Sequence, residues 1–538
     1  MPEPRSVPRL LIHNARIYPD ASGATAAAVL FEGGCVRWLG QAGDALPAAD
    51  QVIDARGQTV LPGLIDAHAH LLWMAIDRLT WNLSGPDGPR SLAQLQEGLR
   101  DRRQDAGEWI VANGLSEARL AEQRLPTRWE LDSVVPDRPV VLRRACGHAA
   151  VVNSVALRRA GYRDGAVDPM GGILERGADG VPNGVLREAA AAVLYPMLPS
   201  PALVDVRASL GAVAQDCLAL GLSTVVEAAV GFTYGFETEW ALWSALRDAA
   251  RFPLRMGFML AVGPAEAAMR GLRPSRDPDW QVATLKFFSD GTLGSRTAAL
   301  HVPYCACGQR KGILMNTPQA LRRQVARAAQ DGWQVAVHAI GDHGVEEAVA
   351  AIEGAPVLPG MPHRLEHLGL ASDHLCDRLA QARIAVVTQA SFIERMGDSF
   401  EAALGPQRSQ ELYRARALLE RGALLVGSSD APAGALSPFV SMADARERRS
   451  ARGTVLGADE RLSAPEAIRC HTENAAAVLG RSGDLGHLRL GAVADAILVD
   501  TDPYRANAGE VRETKLLLHV RGGAVVWSAS GTWGRAIS

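Results

Sequence analysis

The stretch LPGLIDAHAHL, residues 61–71, decides the fold because a buried apolar run ends there on two histidines spaced two residues apart. On a β-strand, residues i and i+2 point to the same side, so His68 and His70 are expected to face one space from a strand end. Two imidazoles aimed at one space make half of a divalent-metal site. Two barrel-interior histidines without a metal remain the alternative for this short pattern alone.

Similar apolar runs recur along the chain, separated by Ala-, Leu- and Arg-rich segments with helical periodicity. Near-continuous apolar strands that alternate with helices are typical of a parallel sheet covered on both faces. Together with the first run there are eight, which predicts an α/β fold of the (β/α)₈ TIM-like barrel type. A doubly wound sheet would alternate in the same way, but no glycine-rich phosphate loop follows the first strand. The runs are 63–70, 222–230, 254–262, 282–290, 333–342, 363–370, 384–392 and 423–432.

Both ends of the chain have a different texture, with short β segments broken by turns such as Gly33-Gly34. We predict that residues 1–62 and 484–538 join into one small β-sandwich domain, and that residues 63–483 form the barrel. Roughly 150 residues separate the first two barrel strands, far more than a βα loop needs. We therefore predict an inserted subdomain over residues 75–205 that roofs the active site.

Composition excludes several classes of partner. The 538 residues carry 56 basic and 59 acidic side chains, and no run of Lys or Arg is long enough to follow a phosphate backbone, so no nucleic acid is expected. No apolar stretch reaches the ~18 residues of a membrane span, and the N-terminus lacks the pattern of a signal peptide. Seven scattered cysteines, an odd number, favour a reducing cytoplasm. We expect a small-molecule substrate, with a homodimer as a candidate assembly.

Three further ionisable residues end predicted barrel strands. His338 ends VAVH, His367 ends RLEH and Asp430 ends LLVGSSD. Barrel enzymes place their catalytic groups at the C-terminal ends of the strands, so these side chains are expected to meet His68 and His70 at one barrel mouth. A single such residue could be accidental, but their convergence predicts a metal site.

Lys286 lies within the apolar strand sequence TLKFFSD. A lysine buried on a strand must lose its proton, pair with an anion or be chemically modified. If its amine adds CO₂, the resulting carbamate is an anionic ligand able to bridge two cations. Pairing with Asp290 or another carboxylate is the alternative.

These motifs resemble the amidohydrolase superfamily, and more narrowly the amidohydrolase-3 group that contains YtcJ-like proteins and N-substituted formamide deformylases. The resemblance covers nearly the whole chain. It implies that His68, His70 and Asp430 bind a first metal and that His338 and His367 bind a second. A carboxylated Lys286 would bridge the two ions, which we expect to be zinc. The matching stretches are PGLIDAHAHL, LKFFSDGTLGSRTAAL, VHAIGDHGVEEAV, HRLEHLGL, GSSDAP, RACGHAAVVNSVAL, GGILERGADGVPNGVLREAA and the closing ENAAAVLG and GHLRLGAVADAILVDTDPY.

Three residues next to these motifs are expected to have supporting roles. Asp66 shares the parity of the two first histidines and is interpreted as a structural carboxylate. Glu366 has the opposite parity to His367 and is expected to point into the barrel wall. His343 is expected to support the site from outside the metal ligands or to lie on the surface.

The sequence also suggests residues for the substrate. Trp73, Trp81 and Phe392 follow barrel strands or the metal motif and indicate an apolar pocket for an alkyl or aryl group, with ordinary core packing as the alternative. His148 and Asn153 in the insertion could offer hydrogen bonds to the substrate.

The predicted function is that of a metal-dependent amidohydrolase. Metal-activated water would hydrolyse a non-peptide C–N bond of a small N-substituted formamide or N-acyl substrate. Asp430 is the predicted catalytic residue, which takes the proton from water and delivers it to the leaving nitrogen. A metal-dependent isomerase or lyase that uses the same site is the alternative, and a metal-loaded binding protein without activity is a third hypothesis.

Overall fold

A computed structural model describes residues 8–529 except 86, 105–106, 146, 200, 249–251 and 306–307. Eight parallel strands pair in chain order, each with the next. The segment after the last strand closes the ring, because the Asp430 amide donates to the His68 carbonyl (2.7 Å) and the His70 amide donates to the Ala431 carbonyl (2.9 Å). The predicted TIM-like barrel is confirmed. Its strands are Leu64–Ala69, Leu222–Val230, Arg255–Leu260, Trp280–Phe288, Gln334–Ala339, Arg364–His367, Ala385–Thr388 and Leu425–Gly427.

Helices pack around this barrel with their apolar faces inward. Pro318–Gln330 is typical: the Thr317 side chain accepts the Ala320 amide, Pro318 occupies the first turn, and Leu321 and Val325 are buried against the strands. Within the described part of the chain, no helix is both long and apolar enough to cross a membrane. The other helices of this region are Leu71–Asp77, Leu203–Ala219, Phe236–Asp248, Pro264–Met269, Asp342–Glu353, Asp373–Gln381, Ser391–Leu404, Ala415–Glu420, Pro438–Glu447, Ala464–Cys470 and Glu473–Val478, with 3₁₀ turns at Arg408–Glu411 and Ala458–Glu460.

The two ends of the chain form two small sheets that share one cluster of buried side chains, including Phe31 and Leu518. The N-terminal strand Thr59–Pro62 pairs antiparallel with the C-terminal strand Ala496–Val499. Gly33 and Gly34 both have positive φ in the hairpin turn predicted there. The exact domain boundaries stay a prediction, and residues 1–7 and 530–538 lie outside the described residues. One sheet contains Cys35–Gly40, Ala28–Glu32, Leu10–His13 and Gln51–Asp54; the other contains Arg16–Ile17, Thr59–Pro62, Ala496–Val499, Leu516–Arg521 and Ala524–Ser528, and helix Ala508–Arg512 precedes its last two strands.

The long interval after the first barrel strand contains a six-stranded sheet of its own. Apolar side chains pack on both of its faces, with Leu142 in one cluster and Val141 in the other. Gly147 and His148, in the turn between two of its strands, line the cavity at the barrel mouth. The strands are Trp81–Asn82, Ile110–Leu115, Val140–Arg144, Ala149–Val152, Gly172–Arg176 and Pro182–Glu188; the helices are Leu92–Asp101, Arg128–Asp132, Ser154–Arg159 and Ala189–Ala192, with 3₁₀ turns at Arg102–Gln104, Glu117–Arg119 and Tyr195–Met197.

Candidate metal centre

A cavity of about 750 Å³ opens at the C-terminal ends of the barrel strands. All of the metal ligands predicted from the sequence line it, although they come from five strand ends that are far apart in the chain. They are His68, His70, Lys286, His338, His367 and Asp430. The fold therefore brings the predicted ligands to one place. Their division between a first and a second metal stays a prediction.

Asp430 lies at the centre of this group. One ligand atom each from His68, His367 and Asp430 lie within 4.8 Å of one another. Oδ1 of Asp430 is 3.1 Å from Nε2 of His70 and 3.4 Å from Nε2 of His68. Burial alone would raise the pKa of Asp430, but contact with the two imidazoles outweighs it and holds that pKa well below its usual range. The side chain is thus a carboxylate at neutral pH.

Protein oxygens hold one ring nitrogen of each of three histidines. When one ring nitrogen donates its proton to such an oxygen, the other keeps its lone pair for a metal, which is how metal-binding histidines are oriented. Burial lowers the pKa of His367 to about 3, so this ring is neutral as a ligand must be. The pairs are His68 Nδ1 with Glu366 Oε2 (2.5 Å), His367 Nδ1 with Gln389 Oε1 (2.8 Å) and His338 Nε2 with the Gly291 carbonyl (3.1 Å).

The expectation for Glu366 is wrong. Its carboxylate is fully buried inside the barrel and contacts His68. The argument from strand parity fails because His367 has a φ of 75°, so the extended geometry ends at this residue. The side chains of Glu366 and His367 therefore both reach the interior of the barrel. Arg364 forms an ion pair with Glu366, and together with the imidazole it outweighs burial and holds the pKa of Glu366 below its usual range.

Lys286 is only 4 % exposed, and burial lowers its pKa to about 8, partly offset by Glu366 and Asp430. The alternative pairing with Asp290 is wrong. That carboxylate accepts the amides of Ala299, Ile340 and Gly341 at 2.8–2.9 Å and organises the loops below the site. The described residues place no carboxylate within ion-pair distance of the lysine, whose Nζ lies 5.6 Å from the centre of the Phe288 ring.

Asp66 and His343 lie where the sequence suggested. Oδ1 of Asp66 accepts the amides of His68 (3.2 Å) and Ser429 (3.0 Å), so this side chain joins the first strand to the segment that closes the barrel. His343 packs against His301, with ring centroids 4.9 Å apart, and lies outside the residues that line the cavity.

The five candidate substrate residues divide into two groups. Trp73, His148 and Phe392 line the cavity. Trp81 does not line it. This side chain packs in the insertion beneath Arg102, so the prediction that it contacts the substrate is wrong. The prediction that Asn153 binds the substrate is also wrong, because its amide oxygen caps the helix Ser154–Arg159 and its amide nitrogen donates to backbone carbonyls. The amide oxygen also accepts the Val140 amide, so all donors and acceptors of this side chain are used and none is left for a substrate.

Sequence reasoning missed the carboxylate behind His148. Nδ1 of His148 is 2.8 Å from Oε2 of Glu188, and Thr297 donates to the other carboxylate oxygen. Glu188 is a buried residue with a φ of 51°, a conformation that non-glycine residues adopt only where the surroundings enforce it. The ring of His148 lies 5.2 Å from that of His338. The insertion thus presents an oriented imidazole beside the ligands of the barrel.

Gly147 explains how this imidazole reaches the cavity. Its φ is 74°, and a Cβ atom there would lie 2.0 Å from the indole of Trp73. Only glycine satisfies both the backbone conformation and the close approach. The turn can therefore lay His148 beside the metal ligands while Trp73 packs beneath it.

A barrel with converging histidines, a central aspartate and a buried lysine defines a metal-dependent hydrolase of the amidohydrolase class. The chain belongs to the amidohydrolase family, whose sequence model matches residues 51–527. It is 30% identical over 552 residues to an N-substituted formamide deformylase of Arthrobacter pascens, covering 97% of this chain and 99% of the relative. It is 28% identical over 481 residues to the putative amidohydrolase YtcJ of Bacillus subtilis, covering 89% and 90%.

The solved structures agree on the fold. An uncharacterized metal-dependent hydrolase from Pyrococcus horikoshii superposes with a TM-score of 0.71 at 24% sequence identity, covering 93% of this chain and 99% of the other. The family model and the relatives confirm the resemblance to the amidohydrolase-3 group, and the solved structure shows the same fold.

Proposed function

We propose that this protein hydrolyses the C–N bond of a small N-substituted formamide or N-acyl amide with the help of two zinc ions. The observation that carries the proposal is the convergence of four imidazoles, a carboxylate and a buried amine around one cavity. Neutral imidazoles and carboxylates are the ligands that zinc prefers, and the donor set fits the metal. Five side chains plus a modified lysine exceed the four ligands that one zinc takes.

In this proposal His68, His70 and Asp430 hold one ion, and His338 and His367 hold the other. When bound, two such ions would lower the pKa of water and polarise the carbonyl of the scissile amide. The chain's own part is to hold each imidazole in the correct orientation, through Glu366 for His68 and through Gln389 for His367.

Lys286 would join the two halves of the site. With its pKa lowered to about 8, about one tenth of the amine is unprotonated at pH 7, far more than for an ordinary lysine. The nitrogen lone pair can then add to CO₂, forming an N–C bond and releasing one proton. The product is an anionic carbamate in place of a buried, unpaired ammonium.

Asp430 is the proposed acid–base residue. Because its pKa is held low, Asp430 is ionised and can accept a proton from water at Oδ1. Because an amine leaves poorly unless it is protonated, the same oxygen must then deliver that proton to the departing nitrogen. No other catalytic nucleophile is needed.

The walls of the cavity favour an apolar substituent. Phe392, Phe400 and Tyr413 line one side, and Phe232 and Trp73 line another. Aromatic walls gain free energy by covering alkyl or aryl groups. One relative is an N-substituted formamide deformylase, which supports a formyl group as the acyl part, while the aromatic walls favour an apolar substituent on the nitrogen. The cytoplasmic location and the homodimer stay predictions.

Incubation with N-benzylformamide tests the proposal. We expect benzylamine and formate in equal amounts, with an increase in total product mass of one water. A product of unchanged mass would instead indicate isomerisation, and absence of any product with the metal-loaded enzyme would contradict the proposed substrate class. Asp430→Asn serves as the control for adventitious hydrolysis.

A further inference from the structure

Arg143 belongs to the insertion strand Val140–Arg144 and is only 4 % exposed. It lines a narrow side pocket together with Tyr195 and Thr233. Trp73, Gly147 and Phe232 line both this pocket and the catalytic cavity. The ring of Trp73 is also 5.7 Å from that of His70, so one indole separates the arginine from a metal ligand. The side pocket is therefore a branch of the active site.

The guanidinium has no polar partner among the described residues. Within the described part of the chain it donates no hydrogen bond and forms no ion pair within 4 Å, and its Nε atom is buried without a partner. A buried cation without an anion is costly, so a protein that retains one usually uses it. The positive charge of Arg143 is therefore not neutralised by an ion pair among the described residues.

Two carboxyl groups lie near enough to interact electrostatically with Arg143, but neither forms an ion pair with it. Glu239 accepts three backbone amides of the loop 231–234 at 2.6–2.7 Å. Burial raises the pKa of Asp77 to about 7, even though Arg143 acts to lower it. Neither neighbour makes the direct ion pair that a buried guanidinium requires.

The orientation of the guanidinium selects the shape of its ligand. Its central carbon lies 4.2 Å from the centre of the Tyr195 ring and 6.0 Å from that of Tyr234. Stacking on tyrosine covers the face of the group and leaves the N–H bonds at its edge available. A planar carboxylate matches that edge with two parallel hydrogen bonds.

We propose that Arg143 is a carboxylate-binding subsite, and that the substrate is an amide carrying a carboxylate a few bonds from the scissile C–N bond. The hydrolysis of such an amide rests on the proposed function, whereas the binding of a carboxylate at Arg143 does not. Among the described residues that line the catalytic cavity there is no arginine, so Arg143 is the guanidinium placed to anchor an anionic group. The apolar walls would hold the remainder of the molecule.

The test compares N-formylphenylalanine with N-formylphenylalaninamide, which differ in charge but hardly in shape. In the wild-type enzyme we expect kcat/KM to be higher for the carboxylate. Arg143→Met should reduce the ratio of the two kcat/KM values roughly 10²-fold, as expected when one partner of a buried, hydrogen-bonded ion pair is removed. Arg158→Met, on the exposed side of the same insertion, is the matched control and should keep the wild-type ratio.

Two further measurements keep the outcome decisive. Thermal unfolding of Arg143→Met should show only a small loss of Tm, because the replaced cation loses its stacking on Tyr195 but no hydrogen bond or ion pair; a large loss would mark a structural arginine. Calorimetric binding of 3-phenylpropanoate should weaken at least about tenfold in Arg143→Met. If the wild type cleaves neither formamide, the proposed reaction fails while this binding still decides the subsite. Equal ratios, or equal binding, in the wild type and Arg143→Met would overturn the subsite.

Discussion

Two histidines in the catalytic cavity are each held by a glutamate, and the two pairs come from different parts of the molecule. His68 and Glu366 both belong to barrel strands and lie 2.5 Å apart. His148 and Glu188 both belong to the insertion and lie 2.8 Å apart. The same device, an imidazole oriented by a carboxylate, thus appears once in the wall of the site and once in its roof.

The surroundings of the two pairs differ. Glu366 is also bound by the buried Arg364, so its pair is part of a charged network inside the barrel. Glu188 is bound by the neutral hydroxyl of Thr297, in the loop after the fourth barrel strand. We infer that the barrel pair serves the metal and that the insertion pair serves the substrate. The predictions below test this division of labour.

The largest effect is expected at Lys286, on the barrel side. Lys286→Ala should abolish activity, because no oxygen ligand remains between the two proposed metal positions. Excess bicarbonate or short carboxylates should restore part of it, since a free carboxylate can occupy the same space. Activity assays with and without these additives check the prediction. Full activity of the alanine variant without any additive would show that Lys286 is only structural.

Asp430→Asn should lower kcat by about 10²–10⁴-fold, or roughly 3–5 kcal/mol of barrier, while KM changes little. The asparagine amide can still offer an oxygen to a cation but cannot accept a proton. The loss should be steeper for an amide than for an ester with a good leaving group, which needs no protonation. Steady-state kinetics with both substrates provide the measurement. An equal loss for both, at unchanged metal content, would assign the proton transfer to another residue.

The two glutamates give the most direct comparison. Glu366→Gln should weaken metal binding by about 10–100-fold, because the oriented His68 loses its charged partner and Arg364 is left unpaired. Glu188→Gln should leave the metal content at the wild-type value and change kcat/KM instead. Elemental analysis after dialysis and kinetics on both variants separate these effects. Equal metal loss in both variants would mean that His148 also serves the metal.

A histidine outside both pairs provides a reference for pH effects. His519 joins the terminal sheet to the barrel by contacts with Ser223 and Leu218, and burial lowers its pKa to about 4. A folded pKa below the unfolded value of about 6.5 stabilises the fold fully above pH 6.5, and that contribution is lost as the pH falls towards 4. From pH 7 to pH 5 the free energy of unfolding should fall by about 2 kcal/mol through this group.

Urea unfolding of the wild type and of His519→Gln at both pH values measures that contribution. The variant should show the smaller dependence on pH, because glutamine does not titrate. Identical slopes would mean that His519 has the same pKa in the folded and the unfolded protein.

The barrel and the candidate metal ligands were predictable from the sequence because apolar strands alternate regularly with helices along the chain. Several of the apolar runs end on an ionisable residue, and parallel strands present their C-terminal ends at one mouth, so His338, His367 and Asp430 could be placed together from the sequence alone. The rule that alternate residues of a strand point to opposite sides failed at Glu366, because the positive φ of His367 ends the strand. A reversal of one dihedral angle leaves no signal in the pattern of apolar residues.

The insertion was far less predictable. Its sheet depends on pairings between distant strands, and Glu188 meets His148 across 40 residues of chain. Trp81 and Asn153 have the residue types of a binding site but serve packing and helix capping. Arg143 looks like any surface arginine in the sequence, and only three-dimensional packing shows that it is buried beside the site.

Metal content measured together with activity tests the central claim most directly. Protein stripped by a chelator should be inactive on N-benzylformamide, and activity should return with added zinc and saturate near two ions per chain, because the ligand set exceeds the four that one zinc takes. Saturation at one ion would contradict the binuclear site. Full activity of the stripped protein would contradict metal-dependent hydrolysis altogether.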